Sequence, residues 1–236
     1  MSLLITVYTN EGIVMASDSR ITFADTEKGL DGTVVKRVGI QSTDSAYKTF
    51  LCNSRVGLSV CGEYTIHDML IAGYIEEFIA AKVSESSTVE DIAQCVLNYF
   101  SAFSPAPNTN FIIAGYNPNS SERHVIRVYI GSKKMVVENA RFPGAVWNGD
   151  IETLQRVIND VGLKRADGTY ADIPSHCIDF HFFTLQDAID FAQYAVDITI
   201  KTMRFQNCVK SVGGPIDILA IKPTGAFWVQ RKELHA

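Results

Sequence analysis

Glu11-Gly12-Ile13-Val14-Met15-Ala16-Ser17-Asp18-Ser19-Arg20 is the stretch that decides the fold class. Ile13 to Ala16 is an apolar run of strand length, and it ends in a polar turn carrying an acid and a base. Ahead of it Leu3 to Tyr8 is a second β-rich run. Thr9-Asn10-Glu11-Gly12 between them supplies the Asn and Gly of a hairpin turn. The chain therefore starts as two antiparallel strands that deliver Asp18 to the end of the second.

Outward from that hairpin, Phe23 to Ala46 is polar and contains Gly, as a long loop or a loose hairpin extension would. Lys48 to Cys52 and Val56 to Cys61 form another strand pair about Asn53-Ser54-Arg55. Ile66, Leu70, Tyr74 and Phe78 recur at helical spacing, which predicts a buried helix. Ser87 and Glu90 have the spacing of a capping box, opening a helix with Val89, Ile92, Val96 and Tyr99 on one face. Ser104-Pro105-Ala106-Pro107 ends it. Strands are predicted at 111–115, 125–130 and 135–138, and a helix from about Ile151 to Val161 with Leu154, Val157, Ile158 and Val161 inward. Thr184 caps a longer helix with Leu185, Ile189, Ala192, Val196 and Met203 on one stripe. The last strands are 216–221 and 226–230, with Pro223-Thr224-Gly225 as their turn.

Strands, two helices, strands, two helices, strands is neither a βαβ alternation nor an all-β order. It predicts an α+β fold: a four-layer αββα sandwich, two antiparallel sheets between helix layers, burying each apolar stripe. No linker composition interrupts 1–236, so one domain is expected.

Composition narrows the function classes. The 236 residues are 47% hydrophobic and 20% charged, ordinary for a soluble globular protein. A net charge of -5 with no long basic run argues against a nucleic-acid surface. Five cysteines without a CxxC pair suggest free thiols in a reducing compartment. The start, Met1 to Gly12, lacks the basic region of a signal peptide, and no apolar stretch reaches the roughly 18 residues of a membrane span, so no membrane partner and a cytoplasmic location are expected. His176, Cys177 and His181 have no second cluster to complete a metal site, and neither a metal nor a cofactor is expected. Cys61 is either a reactive thiol or, more simply, a small buried hydrophobe.

Three motifs in order complete the sequence evidence: residues 11–20, then Lys48-Thr49-Phe50 followed by Val60-Cys61-Gly62, then Ser211-Val212-Gly213-Gly214-Pro215-Ile216-Asp217. With the element order they resemble the proteasome β-subunit family and its bacterial relatives, of the N-terminal-nucleophile (Ntn) hydrolase superfamily. The resemblance covers nearly the whole chain. It implies a nucleophile exposed at residue one by processing, whose own α-amino group is the general base. An α-amine, with a pKa of roughly 7.7–8.0, suits that task near neutral pH, and a serine hydroxyl needs such a base.

In the family the turn Asp stands sixteen positions after the nucleophile, which places Ser2 there once Met1 is removed. The resemblance then makes Asp18 the buried carboxylate and Lys48 its lysine partner. It makes Gly62 the glycine whose backbone N–H faces the oxyanion, and Asn148 and Ser211 further substrate-side groups. Departures accompany it. The span from Asp18 to Lys48 is about fourteen residues longer than in the family, so Lys36 stands as an alternative lysine. Asn148-Gly149-Asp150 replaces a Ser-Gly-Ser turn. The acid the family carries before its Gly-Gly segment is missing from Asn207-Cys208-Val209. A peptide or amide substrate and a homo-oligomer, as a ring or stack, are the implied partners. A catalytically silent scaffold and an amidase for a small metabolite remain open beside the protease.

Overall fold

The computed structural model describes residues 2–28, 34–173 and 176–233. Leu3–Tyr8 (β1), Ile13–Ser17 (β2), Ile21–Lys28 (β3), Val34–Thr43 (β4), Thr49–Asn53 (β5), Val56–Gly62 (β6), Thr65–Ile66 (β7) and Met69–Leu70 (β8) come first. Helices Ile71–Lys82 (α1) and Val89–Ser101 (α2) follow, then Thr109–Tyr116 (β9), Arg123–Tyr129 (β10), Lys134–Val137 (β11) and Gly144–Gly149 (β12). Glu152–Ile158 (α3), Gly162–Lys164 (β13), Tyr170–Asp172 (β14), Leu185–Phe205 (α4), Asp217–Lys222 (β15) and Gly225–Gln230 (β16) complete the order.

The strands build two five-stranded antiparallel sheets, ordered β12-β1-β2-β15-β16 and β11-β10-β9-β6-β5, with three two-stranded hairpins beside them. The fold is therefore mixed α+β, as the element order implies. β1 and β2 lie inside their sheet and are buried at every position, which explains runs with no polar alternation.

Buried apolar residues fall into three clusters. One joins the sheet containing β6 to α1 and α2 through Leu58, Phe111, Ile75, Phe78, Val96 and Phe100. A second joins the sheet containing β1 to α4 through Ile5, Val14, Ala192 and Val196. The third lies where the two sheets face each other, with Leu4, Met15 and Leu219 from one and Cys61, Ile112 and Ala114 from the other. Each fully buried Val, Leu, Ile, Phe or Met among them stabilises the fold by roughly 1.5–3 kcal/mol. Among the described residues no helix is long and apolar enough to cross a membrane.

The polar stretch after Phe23 takes the hairpin alternative, β3 with β4, kinked by a bulge where Gly39 takes φ +79°. Local expectations were corrected in four places. The first helix begins at Ile71, because Ile66 and Leu70 belong to the β7–β8 hairpin; its buried stripe is Ile71, Ile75 and Phe78. The capping box of α2 is Thr88 with Asp91, one residue beyond the expected frame, since the Ser87 hydroxyl is occupied by the Ser84 N–H at 3.0 Å. α3 ends at Ile158 and leaves Val157 exposed, while Val161 lies beyond it. β12 was not anticipated: Gly at both ends and only six residues leave a weak strand signal, yet it pairs with β1 along its whole length. The α4 cap, Thr184 with Asp187, agrees with expectation.

Candidate functional site

The β2 strand ends at Ser17, and the turn beyond it points Asp18 inward, fully buried. A buried carboxylate must find donors. Asp18 finds four. Its Oδ1 accepts the Leu3 N–H at 3.0 Å and the Lys48 ammonium at 2.8 Å. Its Oδ2 accepts the Arg20 N–H at 3.1 Å and the Gly213 N–H at 3.0 Å. One side chain thus ties the start of β1, the turn after β2, the residue before β5 and the Gly-Gly segment into one place.

Lys48 is wholly buried. It also donates to the Arg20 carbonyl. Burial lowers its proton affinity, and the Asp18 charge works against that loss. Thr49, the next residue, donates to the Ser17 hydroxyl at 2.8 Å and is hydrogen-bonded to the Ser59 hydroxyl at 3.0 Å, which locks β5 across to β2. The alternative Lys36 lies on β4 opposite Thr26; its side chain, like Met1, falls outside the described residues.

Ser2 is buried, with 3% of its surface exposed. Its carbonyl accepts the Asp150 N–H at 2.7 Å, and its successor Leu3 is held by Asp18. Gly149 lies against that carbonyl with φ +98°, and a Cβ there would overlap the Ser2 oxygen. The glycine of the Asn-Gly-Asp turn is required by this close approach.

Gly62 ends β6 with φ +110° and is exposed, and a Cβ would lie 2.5 Å from the Asn108 carbonyl oxygen. Val60, two residues earlier, donates its N–H to the Lys48 carbonyl at 2.9 Å, so Gly62 lies just past Lys48 on the neighbouring strand. Asn148 is opposite Leu4 on β12; its Oδ1 accepts the Gly149 N–H at 2.8 Å, and its buried Nδ2 has no partner among the described residues. Ser211 is fully buried and donates to Asp150 Oδ2 at 2.9 Å.

The structure therefore brings Asp18 and Lys48 into contact and fastens the Ser2–Leu3 peptide beside them, through the Leu3 N–H on Asp18 and the Ser2 carbonyl on Asp150. Ser211 joins through Asp150. Sequence reasoning gave Asp150 no role, although its place after Gly149 at a strand end was a usable signal. It also passed over Asp217, which sits opposite Ser17 on β15, fully buried, and pairs with Lys232 of the final segment. Lys232 lies 4.3 Å from the Tyr47 ring centre, next to Lys48. Cys61 is buried at 1% exposure and burial pushes its thiol up to about 12, which favours the inert alternative. His176, Cys177 and His181 form no metal-binding group among the described residues.

No protein-family model and no curated protein matches the chain. Solved structures do. An Anbu (Gly-1) mutant from Hyphomicrobium sp. strain MC1 aligns with TM-score 0.63 over 98% of this chain and 86% of that one, at 16% identity. Anbu from the same strain aligns at 0.58 over 98% and 88%, also at 16% identity. Anbu (ancestral beta-subunit) from Yersinia bercovieri aligns at 0.56 over 96% and 86%, at 14% identity. The chain shares the proteasome-like fold of these Anbu structures. At this level of identity the likeness concerns fold alone. Within that fold, the Asp18–Lys48 pair meets the start of β1 through the Leu3 N–H.

Proposed function

We propose that the chain is a proteasome-type N-terminal-nucleophile hydrolase that cleaves peptide or amide bonds through Ser2 after Met1 is removed. The observation that carries this is the Asp18 carboxylate, bound at once to Lys48 and to the N–H of the residue after Ser2. The Ser2 α-amine takes the hydroxyl proton as Oγ attacks the substrate carbonyl. The Gly62 backbone N–H takes the developing oxyanion, and Asn148, whose buried Nδ2 has no partner among the described residues, supplies a further donor. The proton passes to the leaving amine, and an ester remains on Ser2. The amine then deprotonates a water, which releases the acid and restores the serine. Lys48, charged and fixed by Asp18, holds positive potential at the nucleophile.

Other finer inferences accompany this one. The three clusters support an αββα layering of the two sheets between α1–α2 and α3–α4. Five free cysteines fit a reducing, cytoplasmic setting. Self-assembly into a ring or stack is what the family resemblance implies. A silent scaffold is favoured instead by two features, the absence of an acid at residues 207–209 and the Asn148-Gly149-Asp150 turn in place of Ser-Gly-Ser.

The test uses untagged protein. Intact mass should show loss of Met1, a serine-directed electrophile should add at Ser2, and a panel of fluorogenic peptides and small amides should be hydrolysed by the wild type and not by Ser2→Ala. Retained Met1, or hydrolysis indifferent to Ser2→Ala, overturns the proposal. Full assembly without hydrolysis in either protein identifies the scaffold, and turnover of small amides alone identifies the metabolite amidase.

A further inference from the structure

Asp150 occupies a position that the Ser2-centred mechanism leaves unused. It touches the nucleophile residue through its backbone, N–H to the Ser2 carbonyl at 2.7 Å, and the Gly-Gly segment through its side chain, Oδ2 accepting the Ser211 hydroxyl at 2.9 Å. Oδ1 accepts no hydrogen bond from any described residue, and Asp150 as a whole is half-buried. Ser211 is itself fixed, buried at 0% exposure, with its N–H on the Val209 carbonyl at 2.9 Å. The link spans 61 positions of sequence. Its carboxylate stands on the β12 side of the site, whereas residues 207–209, beside Ser211, carry none.

We propose that Asp150, oriented by Ser211, is the positioning carboxylate for the Ser2 α-amine, and that it supplies from the end of β12 the negative charge absent from residues 207–209. The inference rests on the N-terminal-nucleophile reading of Ser2. Gly149 makes it possible: a side chain there would displace the Ser2 carbonyl, and the turn could not bring Asp150 under the first residue. The other charged groups at the site are the Asp18–Lys48 pair on the β2 side and, in the 380 Å³ cleft that Asp150 shares with Met203, Glu152 and Arg156. Glu152 and Arg156 pair with each other at 3.1 Å and are mostly exposed, so neither competes for the amine.

The experiment uses full chains that begin at Ser2, released by cutting a fusion at that bond. Periodate, which cleaves only an amino-terminal serine or threonine, verifies the free amine. The amine is then titrated by the pH dependence of its acylation with a limiting anhydride, read by peptide mass. A carboxylate beside an ammonium holds the proton on. Asp150→Asn should therefore lower the pKa of the Ser2 amine by about one unit. Asp150→Glu should restore most of it, and Glu152→Gln should leave it unchanged. Asp150→Ser is the second variant should the amide fail to fold. If both neutral variants leave the amine where the wild type has it, Asp150 does not position the amine. An amine that shifts in a protein hydrolysing no amide retains Asp150 in its role and discards the hydrolase. Hydrolysis with an unmoved amine does the reverse.

Discussion

Lys48 Nζ lies 2.8 Å from Asp18 Oδ1, and neither side chain has any surface open to solvent. A buried pair of this kind contributes little net stability over an apolar pair of the same size, yet losing one partner is costly. Its value is in what it fixes. Asp18 also holds Leu3, Arg20 and Gly213, so the pair sets where the first strand starts.

Asp18→Ala should destabilise the protein by about 3–5 kcal/mol, since it strands a buried ammonium and three backbone N–H groups. The double variant Asp18→Ala with Lys48→Met should lose clearly less than the two single losses added together. Urea unfolding of all four proteins measures the cycle. Strict additivity would show that the two side chains do not depend on each other.

Lys48 also makes stability depend on alkaline pH. Its folded proton affinity is lowered by burial, so between the folded pKa and the unfolded value of about 10.4 the unfolded chain binds the extra proton. Stability from this group therefore rises with pH across that window. The urea midpoint of the wild type should rise relative to that of Lys48→Met as pH is raised from neutral toward 10, and a flat difference would contradict it.

Gly149→Ala adds a methyl group onto the Ser2 carbonyl at a backbone angle, φ +98°, that side chains rarely adopt. Overpacking and strain should together cost about 2–4 kcal/mol. Thermal unfolding reads the loss. Gly168→Ala, also at positive φ but in open space, should cost less.

The last described segment closes over Tyr47. Arg231 lies 4.8 Å from the Trp228 ring and 5.1 Å from the Tyr47 ring, and Lys232 pairs with Asp217. Lys232→Met should leave the fully buried Asp217 carboxylate without its countercharge and cost about 3–5 kcal/mol. Lys232→Met with Asp217→Asn should recover part of that loss in the same unfolding assay.

Thiol titration of the native protein should find Cys177 and Cys208 quickly, because both are exposed. Cys52 and Cys61, whose thiols burial pushes up to about 12, should react only in denaturant. Fast native labelling of Cys61 would restore the reactive-thiol alternative.

Much of the architecture was legible locally. Strand-length apolar runs mark β1, β2, β6, β9 and β15, and Thr184 marks the start of α4, because periodicity and capping depend on neighbours within a few residues. The Asp18, Lys48 and Gly62 positions were named by the family resemblance, and the structure places them after β2, before β5 and at the end of β6. Where local signals competed, they misled. Ile66 and Leu70 share the spacing of a helix face, but two consecutive residues at positive φ, His67 and Asp68, turn the chain into a hairpin first.

The sequence by itself determined most of the strands and helices and the opening hairpin, and its family resemblance named the candidate residues at the hairpin's ends. Only the tertiary structure decided which distant groups meet there. β12 reaches β1 from some 140 positions away, and that pairing alone brings Asp150 to Ser2. Ser211 then reaches Asp150, and Lys232 reaches Asp217, through packing that no local pattern encodes. A buried charge takes whichever partner the closed fold presents, because leaving it unpaired costs more than any local preference can return.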